Sequence, residues 1–316
     1  MQSYTLLAPG KINLYLEIIG DRPDGFHEMA MILQSIGLCD RLMVRSISVD
    51  QIRVRCNHPE VPNDQSNLVY RAAALMAKQF SDAYNQFGGV EIQLEKNIPV
   101  GAGLAGGSAD AAAVLIGLDL LWNLGLTQIE LQELGAQLGC DIPFCVSGGT
   151  AIATGRGEVL APLPSLNNLH LVLGKYRSLS ISTAWAYKAY RQSFGDTYIS
   201  GEADVSGRQQ HIRSGALVSA ITARDITKVG QLLHNDLEKV ALPEHKAIAE
   251  LKAAFEATNP LGVMMSGSGP TVFAIAETAE QAEQIAASVR TTIANPDLDL
   301  WITQSVANGI QVTQSS

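Results

Sequence analysis

The stretch Pro99-Val-Gly-Ala-Gly-Leu-Ala-Gly-Gly-Ser-Ala-Asp110 places four glycines, Gly101, Gly103, Gly106 and Gly107, within seven residues just ahead of an apolar run. Glycine accepts unusual dihedrals and close backbone approach, so successive N–H groups can converge on one anion. A helix beginning near Ser108 adds unpaired donors and a partial positive charge at the same point. That is the chemistry of phosphate binding. Ser108 can cap the helix or turn its hydroxyl toward a phosphate or a metal ion. The plainer alternative is a close-packed strand–helix turn with no ligand, for which four glycines are generous.

Two well-known loops do not account for this segment. Gly101-x-Gly103-x-x-Gly106 formally matches the dinucleotide fingerprint, but Asn97 and Pro99 interrupt the strand that should lead into it. The acidic residue expected about 20 positions later would fall near Leu126, between two helices. A Walker loop needs Gly-Lys-Ser/Thr, and no lysine occurs between Lys96 and Lys175. Three further segments carry reactive side chains: Ala8-Pro9-Gly10-Lys11-Ile12-Asn13, Gly139-Cys140-Asp141-Ile142-Pro143 and Ser266-Gly267-Ser268-Gly269-Pro270-Thr271. Singly, each has an ordinary reading: a solvated lysine at a strand start, a turn-forming aspartate, a small-residue turn.

The elements that must position these residues follow from periodicity. Leu14–Ile19, Met29–Ile36, Arg41–Ser48, Ile52–Cys56 and Val90–Leu94 read as strands, with turn chemistry at Arg22–Phe26. Asn67–Phe80 has helical spacing, and Ser108–Leu124, apolar almost all round, reads as a buried helix. Thr127–Leu138 opens with a capping box, Thr127 and Glu130, and Gly139 can end it in the left-handed conformation. The pattern breaks at Pro162–Asn168, which divides the chain into expected domains 1–164 and 165–316. Beyond it, Leu169–Leu173, Val272–Ala276 and Trp301–Ala307 read as strands. Ser182–Gln192, Ile226–Leu233, His245–Thr258 and Ala279–Ile293 read as helices. Gly195–Gly215, polar and rich in Gly and Ser, reads as a mobile excursion. The whole is a two-domain α+β chain.

Composition limits the function classes. The chain has 316 residues, is 47% hydrophobic and 17% charged, and carries a net charge of −9. Disordered chains are apolar-poor and charge-rich, so disorder is excluded as the main state. Nucleic-acid binding needs a basic face to release counterions, which the acidic balance opposes. The longest apolar stretch, Ala111–Leu118, is too short to span a bilayer. No basic segment of secretory type precedes Lys11. Cys39, Cys56, Cys140 and Cys145 show no CxxC pair and read as free thiols. The expectation is a soluble cytoplasmic enzyme, monomeric or weakly dimeric, acting on a small molecule.

Together, PGKINLYLEIIGDRPDGFHEM, PVGAGLAGGSADAA, GCDIPFCVSGGTAIATGRGE and MMSGSGPTVFAI resemble the GHMP kinase superfamily, over most of the chain and in the same order. They are most similar to its members that act on diphosphocytidyl-methylerythritol. The resemblance implies a GHMP kinase fold: an N-terminal domain like ribosomal protein S5 domain 2, a ferredoxin-like C-terminal α/β domain, and the substrate cleft between them. It implies ATP-dependent phosphorylation of the substrate's 2-hydroxyl, a step of non-mevalonate isoprenoid synthesis. By it, Lys11 and Asp141 form the catalytic pair. Pro99, Val100, Gly101, Ala102, Gly103, Leu104, Ala105, Gly106, Gly107, Ser108 and Ala109 form the ATP phosphate cradle, with the Ser108 hydroxyl near Mg²⁺. Asn13 and Thr183 would hold the methylerythritol end, and the loop from Ser266 to Thr271 would support both sites.

The segment Asp24-Gly25-Phe26-His27 would bind cytosine. Phe26 stands where the family has tyrosine, keeping an aromatic face and losing the hydroxyl. Ala105 and Ala109 replace a glycine and a serine of the family loop. Ala105 is expected to have no need of a positive φ. Another GHMP kinase (homoserine, mevalonate or sugar), a decarboxylating diphosphomevalonate enzyme, or a non-catalytic nucleotide binder on the same fold are the alternatives. The cytosine segment opposes the first and second, and the Lys11–Asp141 pair opposes the third.

Overall fold

The computed structural model describes residues 2–167 and 169–315. Among these residues the larger sheet is built from β1 (Ser3–Asp21), β2 (His27–Ile47), β3 (Ile52–Cys56), β4 (Gly89–Glu95), β5 (Thr150–Gly155) and β6 (Val159–Leu163). The smaller is an antiparallel sheet in the order β11-β7-β10-β9: β7 (His170–Tyr176), β9 (Gly262–Met265), β10 (Val272–Ala276) and β11 (Leu298–Gln304). Two strands from the second half of the sequence, β8 (His234–Asn235) and β12 (Gln311–Ser315), join the larger sheet by pairing with β1. Otherwise sheet membership changes between Leu163 and His170, within the expected linker, whose Asn168 lies outside the described residues.

β1 and β2 form one long antiparallel pair, where the sequence suggests several short strands broken at Ala-Pro-Gly. The break is real but local. The register shifts between Pro9 and Lys11, where the extra residues lie on β2, and between Asn13 and Tyr15 and between Ile18 and Gly20, where they lie on β1, and the strand continues through all three. β2 pairs with β5 through Met29–Gln34 and with β4 through Arg41–Ile47.

One layer of helices covers the larger sheet: α1 (Leu68–Gln79), α2 (Ser81–Phe87), α3 (Gly106–Trp122), α4 (Gln128–Ala136) and α5 (Ile142–Ser147). α3 is enclosed on nearly every side, and α1 sets Val69, Ala72, Ala73 and Met76 against it in a shared core with Leu42, Val44 and Ile92. α4 carries the capping box of Thr127 and Glu130, but it ends at Gln137 in a right-handed conformation, so Gly139 is not its left-handed terminator.

The second half adds α6 (Thr183–Phe194), α7 (Glu202–Arg213), α8 (Ala216–Ala223), α9 (Ile226–Gln231), α10 (Glu238–Glu244), α11 (Lys246–Glu256) and α12 (Ala279–Thr292). Alternation along the strands divides the smaller sheet between two cores. Val172, Val272 and Ala274 pack with Phe255 and Ile285 of α11 and α12. Leu171, Leu173, Phe273 and Ile275 face Ile12, Leu14 and Ile32 of the larger sheet, which binds the two sheets together.

The excursion expected at 195–215 is largely helical. α7 buries only Ile212, so no apolar stripe betrays it. Its ends suit the helix dipole, with Glu202 and Asp204 in the first turn and His211 and Arg213 in the last. Arg208 pairs with Glu17 at 2.7 Å and Gln209 donates to Glu28 at 2.7 Å, which dock it on β1 and β2. No helix among the described residues is long and apolar enough to cross a membrane.

Candidate active site

Register shifts, the first a bulge of β2 and the second of β1, bracket Lys11 and Asn13, two residues apart and therefore on one face of the strand. Lys11 is 5% exposed, and its ammonium donates to Asn13 Oδ1 at 2.8 Å and to the Gly103 carbonyl at 3.2 Å. An ammonium carries three protons, so one direction is left over. Asp141 Oδ2 lies 3.9 Å away. Asp141 precedes α5 but its side chain makes no cap hydrogen bond, and a third of it is exposed to the cleft. The carboxylate is thus not spent on the turn that its sequence position suggests. Asn13 is buried and its amide approaches Met31 Sδ at 3.4 Å, which leaves Oδ1 to orient the lysine.

The glycine-rich loop forms the wall above this pair. Gly101 and Gly103 have positive φ, and a Cβ at Gly103 would collide with the Ser266 carbonyl. The second small-residue loop lies against the first: Ser266 Oγ donates to the Gly103 carbonyl at 3.1 Å, and Gly267, at φ +57°, sits where a Cβ would meet Asn13 Oδ1 and Lys11 Nζ. Asn235 holds that loop in place, donating to the carbonyls of Met265 and Gly267, each at 2.8 Å.

α3 starts at Gly106, and its first internal bond runs from Ala109 N–H to the Ala105 carbonyl. The N–H groups of Gly106, Gly107 and Ser108 precede that bond, and Ala105 supplies no side-chain cap. An uncapped N-terminus on a cleft is an anion site in waiting. Ala105 corrects one expectation: it occupies the left-handed region at φ +55°. Ser108 lies inside the first turn and is not the cap. Ala109 also faces away, its methyl in the core and its N–H already bonded.

These loops line a cleft of about 940 Å³ that also takes in Asn13, Phe26, His27, Thr183 and residues 99–108. Also on the cleft, the Arg22–Phe26 turn presents Phe26, 51% exposed, with the Arg156 guanidinium 5.0 Å from its ring centre. His27 stacks on Tyr187 at 5.3 Å, meets Tyr198 edge-on at 5.8 Å, and its Nδ1 lies 3.2 Å from Asp21. Burial pushes its pKa below the usual value, with Asp21 opposing. Thr183, exposed on the first turn of α6, shares a 3.0 Å hydroxyl contact with Ser268, so it bridges α6 to the small-residue loop.

Sequence reasoning overlooks several wall residues. Tyr187, Lys188 and Arg191 of α6 line the cleft at helical spacing, a signal present in the sequence. Arg156 comes from a Gly-Arg-Gly turn whose glycines both take positive φ. Behind the glycine loop, Lys96 pairs with Asp40 and, at 2.8 Å, with Asp110. Burial lowers the Lys96 pKa, but the two carboxylates outweigh it and hold it above the usual value. Burial drives the Asp110 carboxyl well above its usual range against the pull of Lys96, and its Oδ1 has no partner.

Among the described residues no group of three His, Cys, Asp or Glu side chains could hold a metal. The oxygens on the cleft, Ser108 hydroxyl and Asp141 carboxylate, fit a different habit. Mg²⁺ binds through one or two protein oxygens together with water and substrate phosphates.

Comparisons with known proteins agree with this architecture. Residues 67–149 match the family model described as GHMP kinases N terminal domain, and residues 217–295 match GHMP kinases C terminal. The chain is 61% identical over 316 residues to 4-diphosphocytidyl-2-C-methyl-D-erythritol kinase of Nostoc punctiforme, covering 100% of both. It is 59% identical over 314 residues to the protein of that name from Trichormus variabilis, covering 99% of each. A crystal structure of 4-(cytidine 5'-diphospho)-2C-methyl-D-erythritol kinase superposes with TM-score 0.74 at 33% identity, over 95% of this chain and 98% of that one. Homoserine kinase from Cytophaga hutchinsonii superposes with TM-score 0.76 at 18% identity, over 98% and 97%. That last likeness is one of fold.

Proposed function

Because the chain belongs to the GHMP kinase family, we propose that it transfers the γ-phosphoryl group of ATP to the 2-hydroxyl of 4-diphosphocytidyl-2-C-methyl-D-erythritol, forming the 2-phosphate and ADP in non-mevalonate isoprenoid synthesis. The observation that carries this reading is one cleft lined by three parts: an uncapped helix N-terminus, the Lys11–Asp141 pair at 3.9 Å, and the aromatic wall of Phe26 and His27. The first suits a triphosphate, the second a phosphoryl acceptor, and the third a planar base.

In this assignment Asp141 accepts a hydrogen bond from the substrate 2-hydroxyl and aims its oxygen at the γ-phosphorus. The oxygen–phosphorus bond forms as the bond to the β,γ-bridging oxygen breaks, and the proton passes to Asp141 and then to solvent. Phosphoryl transfer runs through a loose transition state, so orientation and charge stabilisation outweigh early proton removal. Lys11, held by Asn13 and the Gly103 carbonyl, offsets charge on the transferred group. The N–H groups of Gly106, Gly107 and Ser108 receive phosphate oxygens. The Ser108 hydroxyl would help to hold Mg²⁺ carried with ATP, which would supply charge neutralisation for the phosphates. Asn13 and Thr183 face the methylerythritol end.

His27 reads the base edge, and Phe26 supplies the stacking face. A homoserine kinase shares the fold to TM-score 0.76, so fold cannot choose the acceptor. The base wall does. Phosphorus NMR of the protein with ATP, Mg²⁺ and diphosphocytidyl-methylerythritol should show a new monoester signal rising with ADP. Transfer to homoserine or a sugar instead would remove the cytosine assignment, and no transfer to any acceptor would leave a nucleotide binder.

A further inference from the structure

Glu28 follows His27 at the start of β2, is 8% exposed, and stands behind the cleft. Its carboxylate collects three donors from three different elements. Arg22 Nη1 donates at 2.6 Å, the Gly155 backbone N–H at 3.0 Å, and Gln209 Nε2 of α7 at 2.7 Å. A carboxylate offers about four lone-pair sites, and hydrogen bonds to an ionised acceptor are roughly twice as strong as neutral ones.

Two of those donors lead to opposite sides of the base-binding wall. Arg22 is bonded onward to Asp24, and Asp24 Oδ1 accepts the Phe26 N–H at 3.1 Å, which fixes the turn that presents the Phe26 ring. Gly155, at φ +73°, opens the turn in which Arg156 N–H donates to Glu158 at 2.7 Å. From that turn the Arg156 guanidinium reaches over Phe26. The two groups that would contact a base from the turn side are therefore referred to one carboxylate, and α7 supplies its third bond.

We propose that Glu28 is a positioning residue that sets the spacing of Phe26 and Arg156, and so the recognition of the pyrimidine, with Gln209 as its anchor in α7. This rests on the cytidylyl reading of the cleft. Glu28 touches no reacting atom, so its effect belongs in binding of one substrate. An amide at this position replaces one of the two accepting oxygens with a donor, and loss of Gln209 removes one of the two bonds to Oε1, leaving that of Gly155, without disturbing a core.

The test is steady-state kinetics of wild type, Glu28→Gln and Gln209→Ala, varying each substrate in turn, with the uridine-linked analogue as a second acceptor. The expected result for Glu28→Gln is a KM for the diphosphocytidyl substrate raised about tenfold, equivalent to about 1.4 kcal/mol. Its kcat and KM for ATP should stay within about twofold, and the preference for cytidine over uridine should narrow. Gln209→Ala should move the same parameters about threefold, and it carries the test if Glu28→Gln fails to fold. A fall in kcat with KM unchanged, a rise in both KM values together, or no change in either variant overturns the positioning role while wild type still phosphorylates the substrate. Failure of wild type to do so removes the cytidylyl reading itself, and the role of Glu28 with it.

Discussion

Lys11 shows how far single residues can be read. Its type and its neighbours suggest an enclosed ammonium, yet a lone lysine in a sequence is more often solvated. What decides the matter is contact with Asn13, Gly103 and Asp141, residues up to 130 positions away, and no local pattern encodes that meeting. The roles proposed for the pair differ in what each variant should lose. Asp141→Asn keeps the shape and removes the acceptor of the 2-hydroxyl proton, so kcat should fall on the order of 10³-fold with KM for ATP little altered. Lys11→Ala should cost on the order of 10²-fold, less than the aspartate but still severe. Stopped reactions with both variants check the order, and Asp141→Asn within a fewfold of wild type would falsify the orienting role. Ala105 is a residue misjudged from its chemistry. A side chain without glycine's freedom is expected to avoid positive φ, but the turn into α3 demands it. The left-handed region disfavours alanine by about 1–2 kcal/mol, against which glycine's extra unfolded entropy returns about 0.5–1 kcal/mol. Ala105→Gly should therefore raise the thermal midpoint slightly, by about 2 °C, as scanning calorimetry can measure.

At the scale of elements, the legible parts were those with a period or a cap. α1, α3 and α12 match their sequence readings to within a few residues because apolar spacing or an apolar surface defines them. α7 was illegible for the opposite reason, since its stability comes from polar docking to Glu17 and Glu28 rather than from a stripe. The register shifts at Pro9–Lys11 and Asn13–Tyr15 were half legible: the Ala-Pro-Gly break signals irregularity, but only pairing with β2 shows that the strand continues through it. The glycine loop and α3 lean on Lys96, whose ammonium joins Asp40 at the end of a bulged β2 segment to Asp110. Removing one member of a buried charged cluster leaves the others uncompensated. Lys96→Met should destabilise the protein by about 3–5 kcal/mol in urea unfolding, whereas a triple change that also gives Asp40→Asn and Asp110→Asn should recover part of the loss.

For the molecule as a whole, β8 ties the halves together. Asp236, next to it, accepts from the Ile18 backbone N–H at 2.8 Å, from Lys239 at 2.7 Å, and lies 3.1 Å from His234. Burial raises its pKa, but the hydrogen bonds from His234, Lys239 and Ile18 outweigh burial and hold it down at about 2. A carboxyl lowered on folding contributes stability that is full above its unfolded value, near 3.8, and is lost as pH falls toward 2. Asp236→Asn should lower stability at pH 7 and flatten the acid limb between about pH 4 and pH 2, read from urea midpoints across that range. The α+β class was visible in the alternation of elements in both halves; the division into two sheets was not. That residues 234–235 and 311–315 return to the sheet of β1 was not, because pairing between distant strands leaves no local trace. This return has a consequence for biosynthesis. The strand that bears Lys11 is flanked on one side by Gln311–Ser315, which leave the ribosome long after it. The first sheet must wait with an open edge through most of translation, exposing unpaired backbone groups to neighbouring chains. Nascent chains arrested before β12 should be the form most inclined to associate, and release of that strand the moment at which the sheet of Lys11 becomes safe from aggregation.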